Sequence, residues 1–194
     1  RLALRWMLSI TLALVPALNT HALPFAGNIV IALMSLQVWR IIIAPLTTDR
    51  RFKLTCFEIT QACLFALLLP VAVPAWQLVL AVSFGTVFGE RLFGGRGYTF
   101  LNPVVVGLSF HLFSYEVEWV DTAIAAVPAI ALLPAVLAFL ALELVSWRTV
   151  IALILGALSL QLVGAPSPFI FLSSSTVCLA LLYLAADPVA GGSS

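Results

Sequence analysis

Three glycines, Gly94, Gly95 and Gly97, stand a few residues ahead of an Asn102-Pro103 pair. Glycine reaches backbone conformations closed to other residues, and without side chains it lets a planar ligand approach the main chain. Pro103 suits the first turn of a helix. Asn102 then takes the N-cap position, and the free N–H groups of that helix start suit a carbonyl or an anionic ring edge. Two familiar phosphate loops are excluded. No Lys-Ser/Thr follows the glycines, and Gly95-Arg96-Gly97 lacks both the third glycine and the preceding strand of a dinucleotide fingerprint. From spacing alone the stretch is either a ligand site or a structural turn.

Fewer residues elsewhere offer chemistry. Glu58 and Gln61 lie one turn apart in an apolar stretch, either as a proton or cation station or as a surface-reaching pair within range of Lys53. Glu143 has Arg148 nearby. His111 sits in mid-segment, where a buried imidazole commonly makes one helix-to-helix hydrogen bond. The other histidine, His21, is too remote for a metal or haem pair. Cys56, Cys63 and Cys178 form no CxxC and read as packing residues inside helices. No metal site is expected.

The elements that must position these residues are membrane helices. Hydrophobic residues make up 63% of the 194, and charged residues only 9%, against about 25% in a soluble domain. That balance excludes a soluble globular domain. The net charge of +1 excludes a nucleic-acid binder, which needs a basic surface. The chain divides into about eight apolar segments: 4–18, 25–46, 54–72, 75–89, 102–115, 122–145, 149–163 and 169–186. Pro16 and Asn19-Thr20-His21 are expected to end the first, and Pro70 and Pro74 to mark a sharp turn after the third. If all eight cross, the nine Lys and Arg fall on one side and Glu116, Glu118 and Asp121 on the other, which places the N-terminus in the cytoplasm. Trp6, Trp39, Trp119 and Trp147 fall near the interfaces, as belt residues do.

An internal echo points to duplication. Asn102-Pro103-Val104-Val105-Val106-Gly107 returns as Asp187-Pro188-Val189-Ala190-Gly191-Gly192, each copy after four segments. We therefore expect one transmembrane domain over 1–194, with a first repeat at about 1–115 and an incomplete second repeat at about 122–194. The fifth segment is short, and the irregular stretch at 94–102 interrupts it. Irregular backbone at membrane depth must be lined by protein or a water-filled cavity, and often marks a binding site.

The run Phe88-Gly89-Glu90-Arg91-Leu92-Phe93-Gly94-Gly95-Arg96-Gly97-Tyr98-Thr99-Phe100-Leu101-Asn102-Pro103 resembles the signature of the B subunit of sodium-translocating NADH:quinone reductase and of the D subunit of the Rnf complex. Leu184-Ala185-Ala186-Asp187-Pro188-Val189 is similar to that family's second signature, and Pro74-Ala75-Trp76-Gln77 to the start of its fourth helix. The resemblance implies a membrane electron carrier with helices in two related halves. It implies a non-covalent flavin, riboflavin or FMN, near an Asn-x-x-Asn-Pro motif. Here Asn102 matches the second asparagine and Thr99 stands at the first. The family's covalent FMN sits on a threonine in a Ser-Gly-Ala-Thr motif after the fifth helix. Residues 116–121 contain no such motif, and Leu172-Ser173-Ser174-Ser175-Thr176 only echoes it. No covalent FMN is expected.

The sequence thus leads us to expect an all-α, polytopic transmembrane bundle in the bacterial inner membrane, acting with other subunits of a complex. Gly94, Gly95, Gly97, Thr99, Asn102 and Pro103 would line a flavin site. With no nucleotide-binding domain and no iron–sulfur ligands, the chain would take part in an oxidoreductase only as a subunit. Two alternatives stay open: a flavin-free scaffold subunit, and a solute transporter of the urea-channel type.

Overall fold

A computed structural model describes residues 2–43, 55–93 and 101–115, with single helical positions at 134, 137, 138, 151 and 155. In chain order the elements are α1 (Leu2–Ile43), α2 (Cys56–Leu68), α3 (Ala75–Thr86), a π-helical turn (Val87–Arg91) and α4 (Pro103–Ser114). The described part is helical, as expected.

Local signals explain the boundaries of the shorter helices. Thr55 caps α2, and its N–H donates to the Glu58 carboxylate at 3.0 Å, the return arm of a capping box. α2 stops at Leu68 because Leu69, which precedes Pro70, takes an extended conformation. A turn closed by Val73 N–H to the Pro70 carbonyl, 3.2 Å, leads to Pro74 and into α3. Asn102 caps α4 with its Oδ1 accepting the Val104 N–H at 2.9 Å, and Pro103 fills the first helical position.

α1 departs from expectation. The segments expected at 4–18 and 25–46 form one unbroken helix, and no corner forms at Asn19-Thr20-His21. Those three residues each lower helix propensity by only about 0.5 kcal/mol. Pro16 and Pro24 are also accommodated within the helix. In an apolar setting, breaking the helix exposes backbone groups that have no water to bond, a larger loss. Its 42 residues extend about 63 Å, roughly twice a hydrocarbon core. Arg5 therefore lies far along α1 from Arg40 rather than returning beside it.

Leu23–Ile43 is the stretch, among the described residues, that is long and apolar enough to cross a membrane; α2 and α4 are shorter apolar helices. The expected sixth to eighth segments and the second repeat lie outside the described residues, apart from the five single positions.

α2 is the most buried of the three short helices. Every residue from Thr60 to Leu69 is buried, as in a helix surrounded by others. α1 packs on it and brings Phe25, Ala32 and Leu36 into the core; α3, packed on α1 and α4, brings Leu78, Ala81 and Val82, and α4 brings Val104 and Leu108. The outer face of α1 exposes Leu23, Val30, Met34, Val38 and Ile41, a lipid-compatible stripe at helical spacing. Hydroxyls inside the helices are satisfied internally. Ser35, Thr60, Ser83 and Thr86 each donate to the carbonyl four residues earlier, at 2.6–2.9 Å.

Candidate functional site

The glycine-rich stretch is held by its two ends. α3 does not stop cleanly after Thr86 but winds one wider turn, in which Leu92 N–H reaches the Val87 carbonyl at 3.0 Å. Such π turns recur at functional sites. This one places Gly89 directly against the start of α4. A Cβ added to Gly89 would stand 2.7 Å from the Pro103 Cα, closer than any ordinary carbon contact of about 3.5 Å or more. One turn earlier, a Cβ on Gly85 would strike the Pro103 carbonyl oxygen and come within 3.2 Å of the Gly107 Cα. Gly85, Gly89 and Gly107 thus let the main chains of α3 and α4 touch, the packing that small residues permit between membrane helices. The Phe65 ring fills the notch beside them, 2.7 Å from where a Gly107 Cβ would be. The π turn and the start of α4 consequently meet at one point.

α4 starts inside the bundle. Asn102, Pro103 and Val104 are all buried. The Asn102 carboxamide oxygen has a structural task, holding the Val104 N–H.

Beside the π turn lies a polar layer. The Glu58 carboxylate, 8% exposed, accepts from Arg40 Nη1 at 3.0 and 3.1 Å, from Gln37 Nε2 at 3.1 Å and from the Thr55 N–H at 3.0 Å. Glu58 therefore neither reaches into water nor needs Lys53, which lies outside the described residues. Its cation comes from α1. Gln61, one turn on, donates to Glu90 in the π turn at 3.4 Å. Three elements are thereby joined at one end of the bundle. Two polar atoms of this layer, Gln37 Oε1 and Arg91 Nε, are buried without a hydrogen-bond partner.

The opposite end is aromatic. Trp76 at the start of α3 meets Tyr115 edge-on at 5.5 Å, and His111 lies 5.1 Å from Tyr115. Asn28 of α1 donates to the Val71 carbonyl at 3.2 Å. His111 is 1% exposed, and its Nε2 makes no hydrogen bond, so the expected helix-to-helix bond through that atom does not form. Between the two ends, Phe88, Phe84 and Phe110 stack with centroids 4.4 Å apart at each step.

Of the site residues read from sequence, Asn102 and Pro103 take the expected cap and first-turn positions. Gly94, Gly95, Gly97 and Thr99 lie outside the described residues. Sequence reasoning missed the π turn, the Arg40–Glu58 pair and the role of Gly89. The Gly85-x-x-x-Gly89 spacing is the one signal that pointed toward the close approach of α3 to a neighbour.

A family model described as the NQR2, RnfD, RnfE family matches residues 2–123. The B subunit of the Na(+)-translocating NADH-quinone reductase of Pseudomonas paraeruginosa is 42% identical over 80 residues, covering 41% of this chain and 19% of that protein. The protein of the same name from Azotobacter vinelandii is 36% identical over 80 residues, with the same shares. That from Chromohalobacter salexigens is 46% identical over 55 residues, covering 28% of this chain and 13% of that protein. The chain thus spans about a fifth or less of the length of these curated relatives.

Proposed function

The chain belongs to the NQR2, RnfD, RnfE family, and from that premise we propose that it serves as a membrane subunit of an electron-transfer complex, holding a flavin non-covalently against the loop between the π turn and α4. The similar proteins are named as subunits of a quinone reductase, which supports partner subunits in the same membrane. The observation that carries the reading is the contact of Gly89 with Pro103. It brings Gly89 and Pro103, which flank the glycine-rich stretch in sequence, to one point. Loops whose ends lie close together are frequently functional.

A flat ring with carbonyl edges needs a hydrogen-bond donor beside it. One buried donor in the π turn, Arg91 Nε, has no acceptor among the described residues, which supports a ligand with carbonyl edges. When bound, the flavin supplies the redox chemistry. The chain's own residues hold and orient it. Gly94, Gly95 and Gly97 leave the main chain uncovered, Thr99 and Asn102 edge the ring, and Pro103 fixes the start of α4. The Gln61–Glu90 bond steadies the π turn, and the capping box anchors Gln61 through α2. Delivery of electrons falls to partner subunits. The urea-channel alternative is disfavoured by α2, which is apolar and buried from Ala62 through Leu68.

Acid extraction of the native complex tests the proposal. Riboflavin or FMN in fixed ratio to this subunit is expected. A complex assembled with the subunit, yet yielding no flavin that tracks with it, overturns the redox reading in favour of a flavin-free scaffold.

A further inference from the structure

We infer that the end of the bundle carrying Trp76, Phe113 and Tyr115 docks on the headgroup layer of an electrically neutral phospholipid leaflet, and that these rings set the depth of the subunit in the bilayer. The inference goes beyond the flavin reading and does not depend on it.

Helix ends from three elements meet in this layer. Trp76 lies in the first turn of α3 and meets Tyr115, the residue that ends α4, edge-on at 5.5 Å. Asn28 donates to the Val71 carbonyl at 3.2 Å, which brings α1 to the turn between α2 and α3. The large side chains here are left uncovered by the rest of the chain: Phe113 is 92% exposed, Leu23 88% and Trp76 56%.

The chemistry of the patch selects its cover. Bulk water would leave that apolar surface exposed at a cost of about 25 cal/mol per Å². Pure hydrocarbon would leave the indole N–H and the phenol O–H without acceptors. The headgroup layer meets both demands, because the ring bodies rest in the acyl region and their polar tips reach the wet layer. Charge points the same way. Residues 23–28, 68–77 and 111–115 contain no Asp, Glu, Lys or Arg, and Glu116 and Glu118 follow Tyr115 in sequence. An anionic headgroup would find no cation there and two carboxylates close by in the chain, whereas a neutral one is not repelled. The other end of the described bundle is the opposite case, with Arg40 and Arg91, the residue type that favours the cytoplasmic side. Leu23 also continues the exposed stripe of α1 through Val30, Met34 and Val38. Lipid that covers the stripe therefore reaches the rings without a break.

The test is depth-dependent quenching of Trp76 in the intact subunit, reconstituted in phosphatidylcholine vesicles whose bromines sit either beside the headgroup or near the acyl chain ends. The chain has five tryptophans, so the Trp76 signal is the difference between wild type and Trp76→Phe. Half of a roughly 30 Å core separates the two bromine positions, which resolves an interfacial ring from a deep one. The expected result is loss of the Trp76 emission with shallow bromines and its survival with deep ones, unchanged when anionic phosphatidylglycerol is mixed in. Loss with deep bromines alone puts the ring in hydrocarbon and overturns the inference. Survival with both assigns the surface to a protein partner and overturns it as well. Shallow quenching that needs anionic lipid overturns the assignment to a neutral leaflet. Should Trp76→Phe fail to assemble, a nitroxide on Phe113→Cys, read against wild type treated with the same label, gives the same decision. It is expected to be relaxed more by a polar nickel complex than by oxygen, and the reverse order overturns the inference.

Discussion

Gly89→Ala is the sharpest test of the contact between the π turn and α4. The added Cβ would sit 2.7 Å from the Pro103 Cα, whereas two carbons rest at about 3.5–4.0 Å. The obstacle is backbone on both sides, so no rotamer change relieves it. The π turn and the start of α4 must part by about 1 Å. Overpacking of this kind costs about 1–3 kcal/mol. Replacing a helical glycine by alanine returns at most about 1 kcal/mol of backbone entropy. A net loss is therefore expected, concentrated where the π turn meets α4. Gly27→Ala is the matched control, because a Cβ there meets nothing within 4 Å; it should be neutral or slightly stabilising. The assay is thermal melting of the complex in nanodiscs, with the retained flavin measured after each step of a detergent wash. We expect the Gly89 variant to melt earlier and to release flavin faster than both wild type and the Gly27 variant. If it melts with the wild type and retains flavin equally, the contact does not hold the π turn against α4.

Three further outcomes are expected. Glu58→Ala should destabilise the subunit by about 1–3 kcal/mol, because it removes the carboxylate that Arg40, Gln37 and the Thr55 N–H share; a yield and melting curve equal to wild type would contradict this. Cysteines placed at 50 and 96 should react with a membrane-impermeant thiol reagent from the cytoplasmic side and one at 118 from the other, following the division of basic residues around segments three to five; labelling of all three from one side would refute it. Denaturing gels should show no flavin fluorescence at the mass of this chain, since residues 116–121 hold no threonine; a fluorescent band would direct attention to Thr176.

Much of the local architecture was legible because its signals are short-range. Pro70 and Pro74 bound the turn before α3, and Asn102-Pro103 announces α4, through stereochemistry that acts within a residue or two. The signature at 88–103 was enough to identify the family that the match over 2–123 bears out. The continuity of α1 was not legible. Pro16 and the Asn19-Thr20-His21 run look like an end when judged by propensity in water, and propensity yields where backbone groups have no other partner. The π turn leaves no compositional trace, since Val87–Arg91 reads as an ordinary last turn. Arg40 and Glu58 are 18 positions apart, and nothing in either residue's own surroundings names the other. Lys53 was nearer in sequence and therefore the more obvious partner. Of the candidate site, the helix start was readable and the contact of Gly89 with Pro103 was not, because it joins positions far apart in sequence through a residue without a side chain.

The four hydroxyls that bond back within their own helices bear on how freely this chain can change. Ser35, Thr60, Ser83 and Thr86 have turned their polarity inward. To a neighbouring lipid or helix they present little more than a small apolar surface. Exchange of any of them for alanine or valine removes a donor together with its need for an acceptor, and a carbonyl already held in the helix loses nothing essential. Exchange for alanine should therefore be tolerated at these four positions, whereas Glu58, Gly89 and Gly107 have no neutral exchange available.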